Sequence, residues 1–127
     1  MREVDSPQAK MEGETETRNE VFFMMQGDAF VQKIKINKNG NTTVTPDDVL
    51  DVEVTFGRLS KTYADGGLLY RDGLWELPLS QAETFRMRDT YQRVQVRVCW
   101  PNGDVEGADL GDVFVTESLS RRELGGE

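Results

Sequence analysis

Few residues in this sequence could do chemistry by themselves. The 127-residue chain has one cysteine, Cys99, and no histidine. A nucleophilic thiol needs a neighbouring base or positive charge to lower its pKa, and serine or cysteine nucleophiles are commonly activated by an imidazole. Cys99 lies between Val98 and Trp100 in an alternating apolar stretch, which is typical of a structural residue. We therefore expect no catalytic residues and a protein that is not an enzyme.

Acidic residues are plentiful, but their spacing does not predict a metal site. Asp47, Asp48, Asp51 and Glu53 fall in turns or on the solvent-facing side of a strand pattern. The turn at 37–41 and the Asp-Gly turns lack the ligand spacing that a calcium loop needs. A solvated surface explains the same residues, so we expect no metal and no cofactor.

The charge of the chain bears on its possible partners. The formal net charge is −8, which would repel a phosphate backbone, so we expect no nucleic acid partner. No apolar run approaches the roughly 20 residues needed to cross a bilayer, so we expect no membrane association. The acidic charge would also suit a small inhibitor of a host enzyme, which is the least favoured hypothesis for the function.

Three aromatic residues could stack on a ligand. Trp75, Tyr70 and Tyr63 on an exposed sheet face would make a binding module for a surface glycan or a host protein. Trp75 is in register with Leu77 and Leu79, however, as Trp100 is with Val98. Because aromatic side chains contribute much of the buried area of a small domain, the core is the favoured location for both tryptophans.

Strand patterns must position all of these residues. Val94, Val96, Val98 and Trp100 share one parity, and the segment 50–56 alternates in the same way, which indicates strands with one buried face. Ser80-Gln81-Ala82-Glu83 matches a capping box and predicts one short helical turn. Roughly eight short strands with Asp-Gly and Asn-Gly turns predict an all-β fold, a single immunoglobulin-like antiparallel β-sandwich. A jelly roll and a small barrel are the alternatives.

Composition divides the chain into three parts. Residues 1–20 are polar and acidic and predict a flexible N-terminal arm, residues 21–116 a β-sandwich domain, and residues 117–127 a C-terminal tail. Gly27-Asp28 predicts a kink or bulge in one long strand. The start of the sandwich is apolar on both parities, so it is either core or an edge that pairs with a partner. The candidate protein-interaction residues are Val21, Phe22, Phe23, Met24, Met25 and Phe30.

The order of several segments resembles a known group of proteins. The segments are VTPDDV (44–49), LDVEVTFG (50–57), KTYADG (61–66), WELPLSQAET (75–84), VQVRV (94–98) and NGDV (102–105). Over residues 30–124 this order is similar to small β-sandwich proteins encoded among the structural genes of tailed bacteriophages and prophages of gut bacteria. The resemblance implies a component of the tail, baseplate, fibre or head surface, made in the host cytoplasm and located in the virion. It implies other virion proteins as partners in a multi-copy assembly and supplies no catalytic residues.

Overall fold

The computed structural model describes residues 8–12, 17–18, 21–38 and 42–125. Within these ranges the chain forms eleven strands, a one-turn α-helix and a 3-10 turn at Pro46–Asp48. The strands are β1 (Gln8–Glu12), β2 (Thr17–Arg18), β3 (Val21–Met25), β4 (Phe30–Lys38), β5 (Thr42–Thr43), β6 (Asp51–Phe56), β7 (Leu59–Thr62), β8 (Leu69–Arg71), β9 (Leu74–Leu79), β10 (Tyr91–Cys99) and β11 (Val105–Thr116), and the helix is α1 (Gln81–Phe85). No helix in these ranges is long and apolar enough to cross a membrane.

The strands form two sheets that pack face to face. One sheet has the order β1-β4-β9-β8, with β5 paired to β4, and the other has the order β2-β3-β11-β10-β6-β7. This is the immunoglobulin arrangement, in which the first, second, fifth and fourth strands form one sheet and the last two pair with the third in the other. The predicted all-β immunoglobulin-like sandwich is therefore confirmed. The pairings are antiparallel except that of β3 with β11, which is parallel.

Alternation along the strands builds the core. Val94, Val96 and Val98 of β10 are fully buried, and they lie beside Phe56, Val54 and Val52 of β6. Residues of the opposite sheet, including Ile34, Ile36, Trp75 and Leu77, complete the buried layer. The prediction that Val94, Val96, Val98 and Trp100 share a buried face is confirmed.

The domain boundary predicted at residue 21 is too late in the sequence. Residues 8–12 form β1, which pairs with β4, and Met11 of β1 is buried in the core. Thr17 and Arg18 pair with β3. Ala9 and Met11 are the only apolar pair of one parity in this segment, which is too short a pattern to predict a strand without its partner. The rest of the predicted arm lies outside the described residues.

Gly27 and Asp28 form a turn between two strands in different sheets, which corrects the predicted kink in one long strand. β3 belongs to the six-stranded sheet and β4 to the five-stranded sheet. Gly27 has a φ of +90°, a conformation that other residues rarely adopt. The buried Thr84 hydroxyl accepts a hydrogen bond from Gly27 N at 2.9 Å and donates one to the Asp28 carbonyl at 2.7 Å. Helix α1 therefore holds the turn in place.

Helix α1 begins where the capping box predicts it. The Ser80 hydroxyl accepts from Glu83 N at 3.1 Å, and Glu83 Oε1 accepts from Ser80 N at 3.0 Å. The C-terminal segment packs beside this helix through the buried Gln26. Gln26 donates to the Met87 carbonyl at 2.7 Å and accepts from Arg121 Nη1 at 2.7 Å. Residues 117–125 lie outside the strands, as predicted.

Candidate functional site

Three aromatic side chains form a row on the outer face of the six-stranded sheet. Phe23 of β3 is the direct neighbour of Phe114 in β11, and Phe114 is the direct neighbour of Tyr91 in β10. The ring centroids are 6.2 Å apart for Phe23 and Phe114 and 4.8 Å apart for Phe114 and Tyr91, both in edge-to-face geometry. We call Phe23, Phe114 and Tyr91 the aromatic row.

The apolar character of this face is concentrated at one end of the sheet. Met25 follows Phe23 on the same side of β3 and is 47% exposed, while Tyr91 is 59% exposed. Farther along, the face is polar: Gln95 donates to Asp109 at 2.8 Å, and Arg97 lies 3.6 Å from Glu53. Because exposed apolar clusters on soluble domains commonly mark contact surfaces, this end is the candidate docking surface.

The predicted interaction residues divide between core and surface. Met24 is buried, and Phe22 and Phe30 pack against the core. Phe23 and Met25 lie on the outer face, as the alternation of a strand requires. Val21 lies in β3 where β2 pairs with it, so this part of β3 is not an unpaired edge. Alternate residues of β3 therefore face the core and the outer surface, and a contact of this strand with a partner stays a prediction.

Two residues of the aromatic row were missed by the sequence analysis. Phe114 lies between Val113 and Val115, which are both buried, so the alternation was a usable signal that Phe114 faces outward. Tyr91 carries a comparable signal, because it shares the parity of Arg93, Gln95 and Arg97, which are exposed, while Val94, Val96 and Val98 are buried. The pairing of β3 with β11 brings Phe23 to them, and that pairing joins segments about 90 residues apart.

The predicted ligand-stacking residues come together, with Trp75 inside the protein and Tyr63 and Tyr70 partly buried around it. Trp75 is fully buried. Tyr63 and Tyr70 pack edge-on against it, with centroid distances of 5.3 Å and 5.1 Å, and Trp75 Nε1 donates to the Val44 carbonyl at 3.0 Å. The prediction of a stacking surface is wrong for Trp75, because a fully buried ring cannot contact a sugar.

Cys99 lies partly buried beside Trp100. Its sulfur contacts the Trp100 carbonyl at 3.9 Å, and Trp100 Nε1 donates to Glu106 Oε1 at 3.1 Å. Within the described residues, no three cysteine, aspartate or glutamate side chains converge on one point as metal ligands would. Cys99 is the last residue of β10, and its side chain packs beside Trp100.

A groove of about 420 Å³ opens at the same end of the sandwich as the aromatic row. Arg58 follows β6, Arg86 and Arg88 follow α1, and all three residues line the groove. Phe56, Leu59 and Met87 form apolar walls, and Tyr91 belongs both to the groove and to the aromatic row. We call this feature the arginine groove.

Lys61 and Glu83 form an ion pair at one side of the arginine groove. Lys61 Nζ lies 3.0 Å from Glu83 Oε2 and donates to the Pro78 carbonyl at 2.7 Å. Burial raises the pKa of Glu83, whereas the Ser80 N–H and the Lys61 ammonium lower it, and the net result is a pKa below the ordinary value. The pair ties β7 to the end of β9 and to α1.

We expect Glu83→Gln to destabilise the protein by about 1 kcal/mol at pH 7. Because the folded pKa of Glu83 is lowered, its contribution is complete above the unfolded pKa and is lost as pH falls through the folded pKa. The difference in unfolding free energy between the two proteins should therefore shrink as pH falls below the ordinary pKa of a glutamate, about 4.3. Urea unfolding across this range measures it. Glu117→Gln, at an exposed position, is the control, and an equal pH dependence in both variants would contradict the assignment.

Comparison with known proteins assigns no family to this chain. No family model matches it, and no curated protein matches it either. The candidate site is therefore defined by its geometry.

Proposed function

We propose that this protein is a non-enzymatic structural component of a tailed-bacteriophage virion, which docks on other virion proteins through the aromatic row and Met25. The observation that carries the proposal is the row of half-buried Phe23 and Phe114 and exposed Tyr91, which lies beside the exposed Met25 at one end of the sheet face. The resemblance of residues 30–124 to phage β-sandwich proteins supplies the setting. The tail, baseplate, fibre and head surface are all compatible locations.

The chemistry of the row suits a protein partner. Aromatic side chains and methionine are enriched at protein interfaces, where they bury large areas at low cost in conformational entropy. Edge-to-face packing already holds Phe114 against both neighbours, so docking needs little rearrangement of the row. A rigid sheet face that repeats in many copies would give identical contacts around a symmetric virion.

Particles purified from the phage or prophage that carries the gene test this proposal. Mass spectrometry should find the protein in the particles, and its absence would overturn the proposal as a whole. Tyr91→Glu combined with Met25→Glu should reduce incorporation at least tenfold, because two charges would then have to be desolvated in the contact.

Matched variants separate docking from a general loss of apolar surface. Val31 on the other sheet and Val105 at the far end of β11 are 47% and 48% exposed, close to the exposure of Met25. Val31→Glu combined with Val105→Glu should leave incorporation unchanged. Equal loss in both pairs, with both proteins folded by circular dichroism, would show that the aromatic row is not the contact.

A further inference from the structure

We infer that the arginine groove binds an acidic peptide segment of the docking partner, with carboxylates on Arg58, Arg86 and Arg88 and an apolar side chain between them. This inference rests on the proposed docking function and names the chemistry of the partner. It concerns residues outside the aromatic row, apart from the shared Tyr91.

The three arginines carry positive charge that is not paired with any acidic side chain among the described residues. In the part of the chain that the structure describes, no ion pair or hydrogen bond involves the guanidinium group of Arg58, Arg86 or Arg88, whereas the Arg97 guanidinium pairs with Glu53 and that of Arg121 bonds Gln26. Glu83 also lines the groove, but Lys61 already neutralises it at 3.0 Å. A cluster of positive charge in a chain of net charge −8 is a local excess that an external anion would neutralise.

Guanidinium groups favour carboxylates and phosphates, because their planar donors match two oxygens at once. The groove also has apolar walls at Phe56, Leu59 and Met87, which a bare inorganic anion would leave uncovered. Its volume of about 420 Å³ holds an apolar side chain together with flanking carboxylates. An acidic segment with one apolar residue therefore satisfies both parts of the lining.

A peptide fits the charge distribution better than a nucleic acid does. A polynucleotide would extend beyond the groove over a surface whose overall charge repels it. A short peptide places its carboxylates only at the three arginines. Tyr91 joins the groove to the aromatic row, so a partner covering the row brings its chain to the mouth of the groove.

The test uses a defined probe and the full chain. The peptide Ac-Asp-Glu-Leu-Glu-Asp-amide is titrated into the ¹⁵N-labelled protein and followed by NMR, with Ac-Asn-Gln-Leu-Gln-Asn-amide as the neutral comparison. We expect saturable binding with a Kd below about 1 mM, weakened by salt, with the largest shifts at the Arg58, Arg86 and Arg88 side-chain Nε–H groups. The neutral peptide should bind at least tenfold more weakly.

Two sets of substitutions separate the groove from total charge. Arg58→Gln, Arg86→Gln and Arg88→Gln together should reduce acidic-peptide affinity at least tenfold. Lys33→Gln, Arg97→Gln and Arg122→Gln remove the same number of positive charges elsewhere and should change the affinity less than twofold. Equal losses in both sets, or no saturable binding of the acidic peptide, would overturn the inference.

Other ligands and particle assembly complete the test. Tighter binding of inorganic phosphate or of a deoxythymidine oligonucleotide than of the acidic peptide would overturn the ligand class. If the groove substitutions abolish peptide binding but leave particle incorporation unchanged, the partner segment does not occupy the groove, and the inference fails while the proposed function stands. Absence of the protein from particles overturns the proposed function, and with it the identity of the partner.

Discussion

Trp75→Ala should lower the free energy of unfolding by about 3–5 kcal/mol, a large part of the stability of a domain of this size. The substitution removes a fully buried indole and leaves a cavity between Tyr63 and Tyr70. It also removes the donor that the Val44 carbonyl accepts at 3.0 Å. Urea unfolding followed by circular dichroism measures the loss.

Two further variants divide this effect into its parts. Trp75→Phe keeps a ring in the core but leaves the Val44 carbonyl without the indole donor, so we expect an intermediate loss. Tyr91→Ala removes an exposed aromatic ring and should change stability by less than about 1 kcal/mol. An unfolding midpoint for Trp75→Ala equal to that of the unmodified protein would contradict the core assignment. That result would return Trp75 to the candidates for ligand stacking.

Gly27→Ala should also destabilise the protein strongly. A β-carbon at Gly27 would lie 2.5 Å from Phe85 Cζ, and the φ of +90° is unfavourable for any residue with a side chain. Backbone strain of about 1–3 kcal/mol and overpacking of about 1–3 kcal/mol both oppose the change. The turn between the two sheets should loosen, and the urea midpoint should fall accordingly.

Gly103→Ala is the matched control for this prediction. Gly103 has a φ of +95°, but a β-carbon there would meet no atom within 4 Å. Gly103→Ala should therefore lose stability through backbone strain alone. The difference in unfolding free energy between Gly27→Ala and Gly103→Ala measures the cost of the contact with Phe85. In a Phe85→Ala background the extra cost of Gly27→Ala should diminish, which a double-mutant cycle detects. Equal costs at both glycines would show that Phe85 does not restrict the turn.

The fold follows from local patterns where those patterns are long. The alternation in 50–56 and 94–100 predicts β6 and β10 with the correct buried faces, since a strand with one face in the core must repeat every two residues. Leu50 is the exception, because it precedes β6 and is 60% exposed. The capping box predicts α1, because the Ser80 and Glu83 contacts involve only neighbouring residues. The candidate site was predicted less completely: Phe23 and Met25 were included, but Phe114, Tyr91 and the arginines were not.

By itself, the sequence determined the strands with strict alternation, the short helix, the sandwich class and the lack of histidine chemistry. These properties depend on composition or on residues close together in the chain. Only the tertiary structure decided that residues 8–12 join a sheet, that Gly27 turns the chain between sheets, and that Trp75 is fully enclosed by its neighbours. It also decided that Phe23, Phe114 and Tyr91 form one row and that Arg58 shares a groove with Arg86 and Arg88. Strand pairing between remote segments creates these contacts, and the alternation within one strand does not specify its partner.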